Sequence, residues 1–459
     1  MKSVAIIGAG ITGLTAAFYL KRKGVAVTLY EASGRTGGVI QSLRRGGFLA
    51  ESGPNTLLET SPKIAQLIRD AGLQKQRLDT EPKATARYVV GQGQPMLMPG
   101  SPLGFMRTKL FSLGGKMAVL REPFVKPRRD GGEESIAEFV TRRLNQEFLD
   151  RAVDALVGGV YAGDPYKLSV THAFPRLKAL EDNYGSLIKG QIFGARDRKK
   201  TGEVSRDRAP KLSFDEGLQV LPDTLAKYLG DSLRLNSVVH KLTRAADGWT
   251  VTTGEGSAWH DAVIYCGTAY RLAGIELAGE SLRAAGKPDL SVFSEIRYPP
   301  VAAVVLGFRR EDVAHPCDGF GVLVPKVEGF KILGTIFSSS LFPNRAPKGH
   351  LTLTSYIGGE RYPELARLPD DEIVELALED LRALLGVSGR PVFVHCATWA
   401  RAIPQYNVGY GSFKDALSRL ESEWPGLFFA GHYRDGVSLS DSIVSGVNII
   451  ERVIPTVKG

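Results

Sequence analysis

The hydrophobic pattern at the start of the chain predicts a strand, a helix and a second strand in close succession. Residues 4–7 form a short apolar run, as expected for a buried strand. Leu14, Ala17 and Phe18 then recur at the spacing of one helical face, and a second apolar run covers residues 25–30. A strand, a helix and a strand in this order are typical of an α/β unit built on a parallel sheet.

A glycine-rich turn joins the first predicted strand to the first helix. Gly8, Gly10 and Gly13 form the pattern G-x-G-x-x-G. The first permits a tight turn, the second lets the backbone approach a pyrophosphate at the helix N-terminus, and the third lets helix and strand pack closely. Glu31 ends the second strand, where an acid can accept hydrogen bonds from ribose hydroxyls. The pattern predicts a dinucleotide-binding unit.

Three further segments are predicted to complete this unit from distant parts of the chain. Residues 249–252 and 261–267 are strand-like runs, and residues 426–431 form a short buried strand that ends in glycine. A helix is predicted to follow and to end at about Val453. The dinucleotide-binding domain is therefore expected to be discontinuous in sequence.

The rest of the chain divides into a helix-rich and a strand-rich stretch. The whole pattern predicts an α/β and α+β architecture, with a discontinuous Rossmann-like domain, a helical insert and a mixed-sheet domain. We place the Rossmann-like domain at residues 1–85, 205–270 and 396–459, the helical insert at 90–204 and the mixed-sheet domain at 271–395.

The amino-acid composition limits the cellular compartments and the kinds of site that fit this chain. The 459 residues are 43% hydrophobic and 23% charged, which is typical of a globular protein of more than one domain. The three cysteines, Cys266, Cys317 and Cys396, form no CxxC pair, so we expect a reducing compartment and no metal site. The chain starts directly in a strand-like run and has no apolar run of about 18 residues. We expect a cytoplasmic protein, soluble or peripheral on the cytoplasmic face of a membrane.

The net charge of +9 is not interpreted as nucleic-acid binding, because no binding motif accompanies it. Part of the charge is concentrated between residues 107 and 129, where basic residues alternate with leucine, methionine and phenylalanine. Such a mixture can lie on an anionic bilayer surface. The alternative is a solvated face.

The residues that follow Glu31 favour FAD over NAD. Ala32, Arg35, Gly37 and Gly38 supply backbone donors and a positive charge for the remainder of a long cofactor. This extended pattern resembles the amine oxidase and protoporphyrinogen oxidase superfamily of flavoproteins. The resemblance implies further FAD contacts at Ile11, Thr12, Gly53, Pro54, Asn55, Thr56, Val239, Trp399, Gly431, Gly436, Val437 and Ser438.

Four longer blocks are similar to the protoporphyrinogen oxidase family: residues 158–165, 319–325, 333–347 and 399–406. The third resembles the plastid and cyanobacterial type in particular. The resemblance implies oxidation of protoporphyrinogen IX to protoporphyrin IX in haem and chlorophyll biosynthesis. Three two-electron hydride transfers to FAD would be followed by reoxidation with dioxygen, which gives hydrogen peroxide. We therefore expect an FAD-dependent, oxygen-using oxidoreductase.

No catalytic side chain is assigned, because flavin N5 would carry out the chemistry and the sequence has no Ser-His-Asp pattern. A near-planar macrocycle needs a large apolar slot and a cation for its propionates. By similarity, Phe320 stacks on a pyrrole ring, and Leu323 and Leu333 form walls. The same similarity makes Arg87 the candidate partner of a propionate and Gly163 a candidate for a close backbone approach to the substrate. A core phenylalanine and a merely exposed arginine are the alternatives.

Other functions remain open at this point. The nearest is oxidation of coproporphyrinogen III to coproporphyrin III, which needs a more basic and open pocket. Another amine oxidase-like flavin oxidoreductase would share the chain ends without the middle blocks, and a non-catalytic flavin subunit or lipid-surface scaffold would belong to a different class. The resemblance implies membrane association of the insert, and it leaves open a homodimer and transfer of the product to a ferrochelatase.

Overall fold

A computed structural model describes residues 2–201, 209–279 and 288–458, in which strands and helices alternate over much of the chain. The strands are β1 (Ser3–Ile7), β2 (Ala26–Tyr30), β3 (Ser42–Arg45), β4 (Phe48–Glu51), β5 (Leu57–Leu58), β6 (Arg77–Asp79), β7 (Ala86–Gly91), β8 (Gln94–Leu97), β9 (Lys211–Phe214), β10 (Leu233–Arg234), β11 (Val239–Ala245), β12 (Gly248–Thr253), β13 (Gly256–His260), β14 (Ala262–Tyr265), β15 (Glu276–Gly279), β16 (Val301–Arg309), β17 (Gly319–Leu323), β18 (Ile332–Ile336), β19 (His350–Gly358), β20 (Phe393–Trp399) and β21 (Leu427–Phe429). The helices are α1 (Ile11–Arg22), α2 (Pro62–Asp70), α3 (Pro102–Arg107), α4 (Leu113–Arg121), α5 (Ile136–Arg143), α6 (Gln146–Phe148), α7 (Asp154–Tyr161), α8 (Val170–Ala173), α9 (Pro175–Tyr184), α10 (Leu187–Thr201), α11 (Val220–Leu229), α12 (Ala269–Leu272), α13 (Ser338–Leu341), α14 (Asp370–Leu385), α15 (Gly411–Glu423) and α16 (Leu439–Lys458).

A five-stranded parallel sheet in the order β10-β2-β1-β14-β21 carries the N-terminal unit. Its central strands are buried on both faces, which is why they read as continuous apolar runs rather than alternating ones. Helix α1 packs against α16, so the two ends of the chain meet. The predicted α/β unit is confirmed, and the 261–267 run becomes β14 beside β1.

The run at 249–252 lies elsewhere. It forms β12, which belongs to a separate four-stranded sheet in the order β13-β12-β11-β15. Trp249 and Val251 of β12 are buried in one cluster with Val263 and Tyr265 of β14, but β12 does not extend the parallel sheet. Just before β11 of this second sheet, the backbone N–H groups of Asn236 and Ser237 donate to the carbonyls of Ser33 and Glu31 at the end of β2.

A seven-stranded mixed sheet forms the other large body of the molecule, in the order β20-β16-β19-β18-β17-β7-β8. Its pairs are antiparallel except β17 with β7. Helix α14 covers one face through an apolar cluster that includes Phe308, Ile373 and Leu381. The sheet takes its strands from residues 86–97, 301–358 and 393–399. These ranges cross the domain limits proposed from the sequence at residues 90 and 396, so that division stays a proposal. The limit proposed at residues 204 and 205 lies outside the described residues.

Helices α3–α10 lie in the stretch predicted as the helical insert, and a buried ion-pair network joins the turn after α4 to α5 and α9. The Arg143 guanidinium, which is fully buried, contacts Glu122 and lies 3.3 Å from a carboxylate oxygen of Glu181. Glu122 also accepts a hydrogen bond of 2.6 Å from the Ser186 hydroxyl. Removing one partner of such a pair leaves an uncompensated buried charge, so the network fixes how these helices stand against each other.

The last helix is longer than the sequence predicted. It continues beyond Val453 to Lys458 and contains Pro455. Val453 and Val457 are both buried in the cluster of the parallel sheet, and this packing outweighs the helix-breaking tendency of proline. Among the described residues, no helix is long and apolar enough to cross a membrane. The same residues contain no cluster of His, Cys, Asp and Glu able to hold a metal, and the three cysteines are free thiols.

Candidate cofactor and substrate site

The glycine turn between β1 and α1 leaves open space at one glycine. A Cβ on Gly13 would lie 2.0 Å from the carbonyl oxygen of Gly8, and Gly8 itself has φ +102°. A Cβ on Gly10, in contrast, would meet nothing within 4 Å. Gly8 and Gly13 are needed by the fold, whereas the space beside Gly10 is available to a ligand. This is the arrangement that close approach of a pyrophosphate requires.

Glu31 is held in a fixed orientation at the end of β2. One carboxylate oxygen accepts the backbone N–H of Ala9 at 2.8 Å, and the other accepts the N–H of Ser33 at 2.9 Å. The backbone N–H of Ser237 donates to the Glu31 carbonyl, which places Val239 on the neighbouring segment. Ala32 is exposed beside the carboxylate. These residues fit the ribose and adenine end of a dinucleotide.

Arg35 braces the loop that follows rather than projecting freely. Its Nη1 donates to the carbonyl of Thr36 at 2.9 Å, and its Nη2 donates to that of Gly38. Gly37 donates its backbone N–H to Ala9 at 2.9 Å, and a Cβ on Gly38 would lie 3.6 Å from the Cα of Gly10. The loop therefore lies against the open side of the glycine turn. The guanidinium supplies positive charge there, although its donors are used by backbone carbonyls.

A second turn, residues 53–56, comes from the end of β4. Gly53 fits because a Cβ would lie 2.2 Å from the carbonyl oxygen of Val39. Asn55 is buried, and its Nδ2 contacts the hydroxyls of Ser338 and Thr354 at 3.2 and 3.5 Å. Its Oδ1 has no partner among the described residues. Since buried polar atoms are nearly always satisfied, this acceptor fits a donor from a bound group. Pro54 and Thr56 flank it and are half-buried.

The C-terminal segment closes over the same region. Thr12 donates its hydroxyl to the Ser442 carbonyl at 3.0 Å, and a Cβ on Gly431 would lie 3.8 Å from that hydroxyl oxygen. Helix α16 is capped by a reciprocal pair of hydrogen bonds between Ser438 and Asp441, at 3.1 and 3.2 Å. Its N-terminus and dipole therefore lie beside the glycine turn.

Gly436 and Val437 lead into that cap. The backbone N–H of Gly436 donates to the Tyr406 hydroxyl at 3.1 Å, and Val437 is half-buried. Ile11 is buried in the cluster of the parallel sheet, so its contact with a ligand is limited to the backbone. The predicted cofactor residues come from six separate stretches, and hydrogen bonds and close contacts link several of these stretches around the glycine turn and the turn after β4. They fit FAD in length and in donor chemistry.

Trp399 reaches this region indirectly. Its Nε1 donates to the carbonyl of Ser52 at 2.7 Å. Two residues that sequence reasoning missed act on the same turn: His395 lies 2.8 Å from the Ser52 hydroxyl, and the Tyr356 hydroxyl lies 3.2 Å from the Gly53 carbonyl. His395 and Trp399 are four residues apart in a predicted strand, so the sequence indicates that their side chains lie on the same face. Only the fold shows which residues that face contacts.

The five predicted substrate residues lie on three neighbouring strands and the turn after α7. Arg87 of β7 pairs in register with Gly321, next to the half-buried Phe320. A Cβ on Gly159 of α7 would lie 2.5 Å from a methyl group of Leu323. Leu333 is buried in a small cluster with Ala162, which directly precedes Gly163.

Gln405 is a further residue beside this turn that the sequence did not single out. It is buried and donates its Nε2 to the carbonyl of Tyr161 at 2.9 Å. A Cβ on Gly163 would lie 2.6 Å from its Oε1, so the turn needs a glycine whether or not substrate approaches it. In the structure, a group that lies close to Gly163 is the side chain of Gln405. A close approach of substrate to Gly163 stays a prediction.

Buried titratable groups near these turns are shifted mainly by desolvation. Burial raises the pKa of Glu51, the residue before Ser52, to about 7, although Arg345 acts in the opposite direction. Burial, followed by Arg45, lowers the pKa of His395, and burial lowers the pKa of His432 to about 4. Both imidazoles are therefore neutral at physiological pH.

Comparison with known proteins places this architecture in a family. The model of the flavin containing amine oxidoreductase family matches residues 11–454. Protoporphyrinogen oxidase 2, chloroplastic/mitochondrial, of Arabidopsis thaliana is 36% identical over 99% of this chain and 94% of its own. The mitochondrial protoporphyrinogen oxidase of Nicotiana tabacum is 36% identical over 99% and 95%. The coproporphyrinogen III oxidase of Bacillus subtilis (strain 168) is 29% identical over 97% and 96%.

Solved structures show the same fold with several chemistries. A crystal structure assigned as a protoporphyrinogen oxidase, from Exiguobacterium sp. 255-15, has a TM-score of 0.81 and 24% identity over 98% of both chains. Reduced UDP-galactopyranose mutase has a TM-score of 0.74 and 16% identity over 99% of this chain and 96% of its own. The fold alone therefore does not select a substrate. The chain belongs to the flavin-containing amine oxidoreductase family, and it is an FAD-dependent oxidoreductase whose relatives include protoporphyrinogen and coproporphyrinogen oxidases.

Proposed function

We propose that this protein oxidises protoporphyrinogen IX to protoporphyrin IX, with dioxygen as the final electron acceptor and hydrogen peroxide as the by-product. The observation that carries the proposal is full-length identity, which is 36% to plant protoporphyrinogen oxidases and 29% to a coproporphyrinogen III oxidase. The relation extends over both the cofactor and the substrate halves of the chain, so it concerns more than a shared flavin unit.

When bound, FAD supplies a two-electron acceptor that can be used three times per macrocycle and reoxidised by dioxygen. The protein itself binds and orients the cofactor and the substrate, and it excludes water from the site. Gly10 and Gly38 would leave room for the pyrophosphate, Glu31 would hold the ribose, and Asn55 would offer a buried acceptor to the cofactor. Val239 would contact the adenine, and the N-terminus of α16 would favour negative charge on the bound group. No side chain is assigned as a catalytic acid or base.

The proposed substrate slot lies between β7, β17 and β18 on one side and the turn after α7 on the other. Phe320 would stack on a pyrrole ring, since aromatic rings prefer offset or edge contacts with other π systems. Leu323 and Leu333 would form apolar walls, and Arg87 would pair with a propionate. The proposal is supported by the register of β7 and β17, in which Arg87 pairs with Gly321 and therefore lies on the same face of the sheet as Leu323.

A second candidate substrate is coproporphyrinogen III, favoured by the 29% identity to the Bacillus enzyme over nearly the whole chain. Four propionates in place of two call for more cations around the slot. Initial rates of porphyrin fluorescence from the two porphyrinogens, measured with the purified holoenzyme, discriminate the candidates. We expect a higher kcat/KM for protoporphyrinogen IX, and a higher value for coproporphyrinogen III would overturn this choice.

We also propose that the insert contacts an anionic membrane surface from the cytoplasmic side. The contact surface, called here the insert surface, is formed by exposed apolar and basic side chains of α3, α4 and the turn after them. These residues are Leu103, Met106, Arg107, Lys109, Leu113, Met117, Leu120, Arg121, Phe124 and Lys126. Leu113 is 79% exposed and Phe124 is 85% exposed, whereas Leu110 and Phe111 are buried. The combination of apolar and basic groups suits a lipid interface. A homodimer and a ferrochelatase that receives the product stay predictions from the sequence resemblance.

A further inference from the structure

Three side chains of the seven-stranded sheet hold the backbone of the Ser52–Gly53 turn. Trp399 donates its Nε1 to the Ser52 carbonyl at 2.7 Å, and the Tyr356 hydroxyl donates to the Gly53 carbonyl at 3.2 Å. His395 Nε2 lies 2.8 Å from the Ser52 hydroxyl. We call Tyr356, His395 and Trp399 the turn clasp. Two carbonyls and one hydroxyl in succession are thus fixed from a different sheet.

The clasp is rigid because its members belong to paired strands. Tyr356 lies on β19, and His395 and Trp399 lie four residues apart on β20, both of which pair with β16. Alternate residues of a strand project to the same face, so His395 and Trp399 reach the turn together. Sites supported by strands are held more tightly than sites supported by loops.

Tyr356 also belongs to the proposed substrate wall. Its ring packs against the cluster of Ala162, Val301 and Leu333, and the residue is half-buried. Burial and the nearby Glu51 carboxylate raise the pKa of its hydroxyl well above the ordinary value, so it stays a protonated donor. One side chain therefore touches the turn with its hydroxyl and the substrate side with its ring.

We propose that the turn clasp sets the position of the Ser52–Gly53 peptide against FAD, and that Tyr356 couples this position to the occupancy of the substrate slot. These are positioning residues, since they act through the turn rather than on reacting atoms. The cofactor half of the inference needs only FAD binding. The coupling half rests on the proposed porphyrinogen function.

The test compares Tyr356→Phe and His395→Leu with Tyr228→Phe and Trp259→Phe. The first two variants each remove one polar contact to the turn, and the two controls alter partly exposed aromatic residues elsewhere. Apoprotein is titrated with FAD, and the visible circular dichroism and midpoint potential of the bound flavin are recorded. Since a buried hydrogen bond contributes about 1 kcal/mol, we expect the FAD dissociation constant to rise on the order of fivefold in the clasp variants, with a changed flavin spectrum and potential. His395→Gln, which keeps a side-chain polar group, should recover part of the wild-type spectrum.

The kinetic readout concerns Tyr356 alone. Tyr356→Phe should slow flavin reduction by protoporphyrinogen IX while KM changes less than about twofold, because the ring that meets the substrate is kept. The inference would be overturned if both clasp variants kept the FAD affinity, the flavin spectrum and the midpoint potential of the wild-type protein. A change in thermal stability alone would not support it. A wild-type protein that binds FAD normally but does not oxidise porphyrinogens would refute the proposed function, whereas the affinity and spectral comparison would still decide the clasp.

Discussion

Gly10 and Gly13 lie three residues apart in one turn, but each is a glycine for a different reason. A side chain on Gly13 would collide with the backbone of Gly8, while a side chain on Gly10 would extend into open space. Gly10 also has an ordinary backbone conformation, with φ −68°. The protein itself therefore needs Gly13, whereas only a bound cofactor needs Gly10.

This difference gives a matched pair of substitutions. Gly10→Ala should leave the thermal midpoint of the apoprotein unchanged and weaken FAD binding on the order of tenfold, because the added methyl group occupies the pyrophosphate position. Gly13→Ala should destabilise the apoprotein by about 3 kcal/mol through overpacking. Unfolding of both apoproteins and FAD titration provide the measurements. If Gly10→Ala binds FAD as tightly as the wild type, the pyrophosphate does not lie there.

The glycine turn and Glu31 could be predicted from sequence because each motif residue has a local reason for its identity. The contacts of Tyr356 and His395 could not be predicted, since a tyrosine and a histidine in strand-like runs are compatible with many roles. What makes them relevant is a contact between residues separated by about 300 positions in the chain. For Arg35, the sequence predicted a positive charge beside the cofactor. It did not predict that the guanidinium donates its hydrogen bonds to backbone carbonyls of the same loop.

At the scale of elements, β4 is joined to the loop before β19 by a buried ion pair. Arg345 Nη2 lies 3.1 Å from Glu51 Oε1, and both residues are almost fully buried. Glu51 also accepts hydrogen bonds from the Ser42 hydroxyl at 2.6 Å and from the Leu218 N–H at 2.9 Å. The Nε of Arg345 has no partner among the described residues. Burial raises the pKa of Glu51 more than the Arg345 guanidinium lowers it.

A double-mutant cycle tests this balance. Arg345→Met should cost about 3–5 kcal/mol in the free energy of unfolding, because Glu51 is left buried without a partner. The double variant Arg345→Met/Glu51→Gln should cost clearly less than the sum of the two single changes. Urea unfolding of the three variants and the wild type gives the coupling. Additive costs would show that the pair does not interact.

The same pair predicts a pH dependence. The pKa of Glu51 rises from about 4.5 in the unfolded chain to about 7 in the fold, so between these values the native state binds more protons. This contribution to stability is fully present below pH 4.5 and is lost as the pH rises through 7, by at most about 1.4 kcal/mol per pH unit. The slope should disappear in Glu51→Gln. Equal slopes in the two proteins between these pH values would contradict the assignment.

The order of elements could be predicted further than their pairing. Residues 4–30 and 261–267 show local patterns that identify buried parallel strands, and the structure confirms them. The place of β12 in a separate sheet and the pairing of β17 with β7 depend on contacts between distant segments, which local periodicity does not encode. The extension of α16 past Pro455 likewise follows from tertiary packing of Val457.

At the scale of the whole molecule, the insert surface combines exposed apolar and basic side chains of the predicted helical insert. The double variant Leu113→Ser/Phe124→Ser should reduce binding to vesicles of phosphatidylcholine and phosphatidylglycerol on the order of tenfold, because two of the most exposed apolar side chains are lost. Val327→Ser, a similarly exposed valine elsewhere, is the control. Co-sedimentation at low and high salt measures the effect. Unchanged binding in the double variant would exclude this surface as the lipid contact.

We propose above that FAD bound in this fold accepts the six electrons that are removed from a porphyrinogen. The most direct measurement is an anaerobic titration of the holoenzyme with protoporphyrinogen IX, following flavin absorbance and porphyrin fluorescence together. We predict that about three flavins are reduced for each protoporphyrin formed, and that admission of dioxygen restores the oxidised flavin with release of hydrogen peroxide. Fluorescent porphyrin formed without flavin reduction, or no porphyrin at all from a fully FAD-loaded protein, would contradict the account.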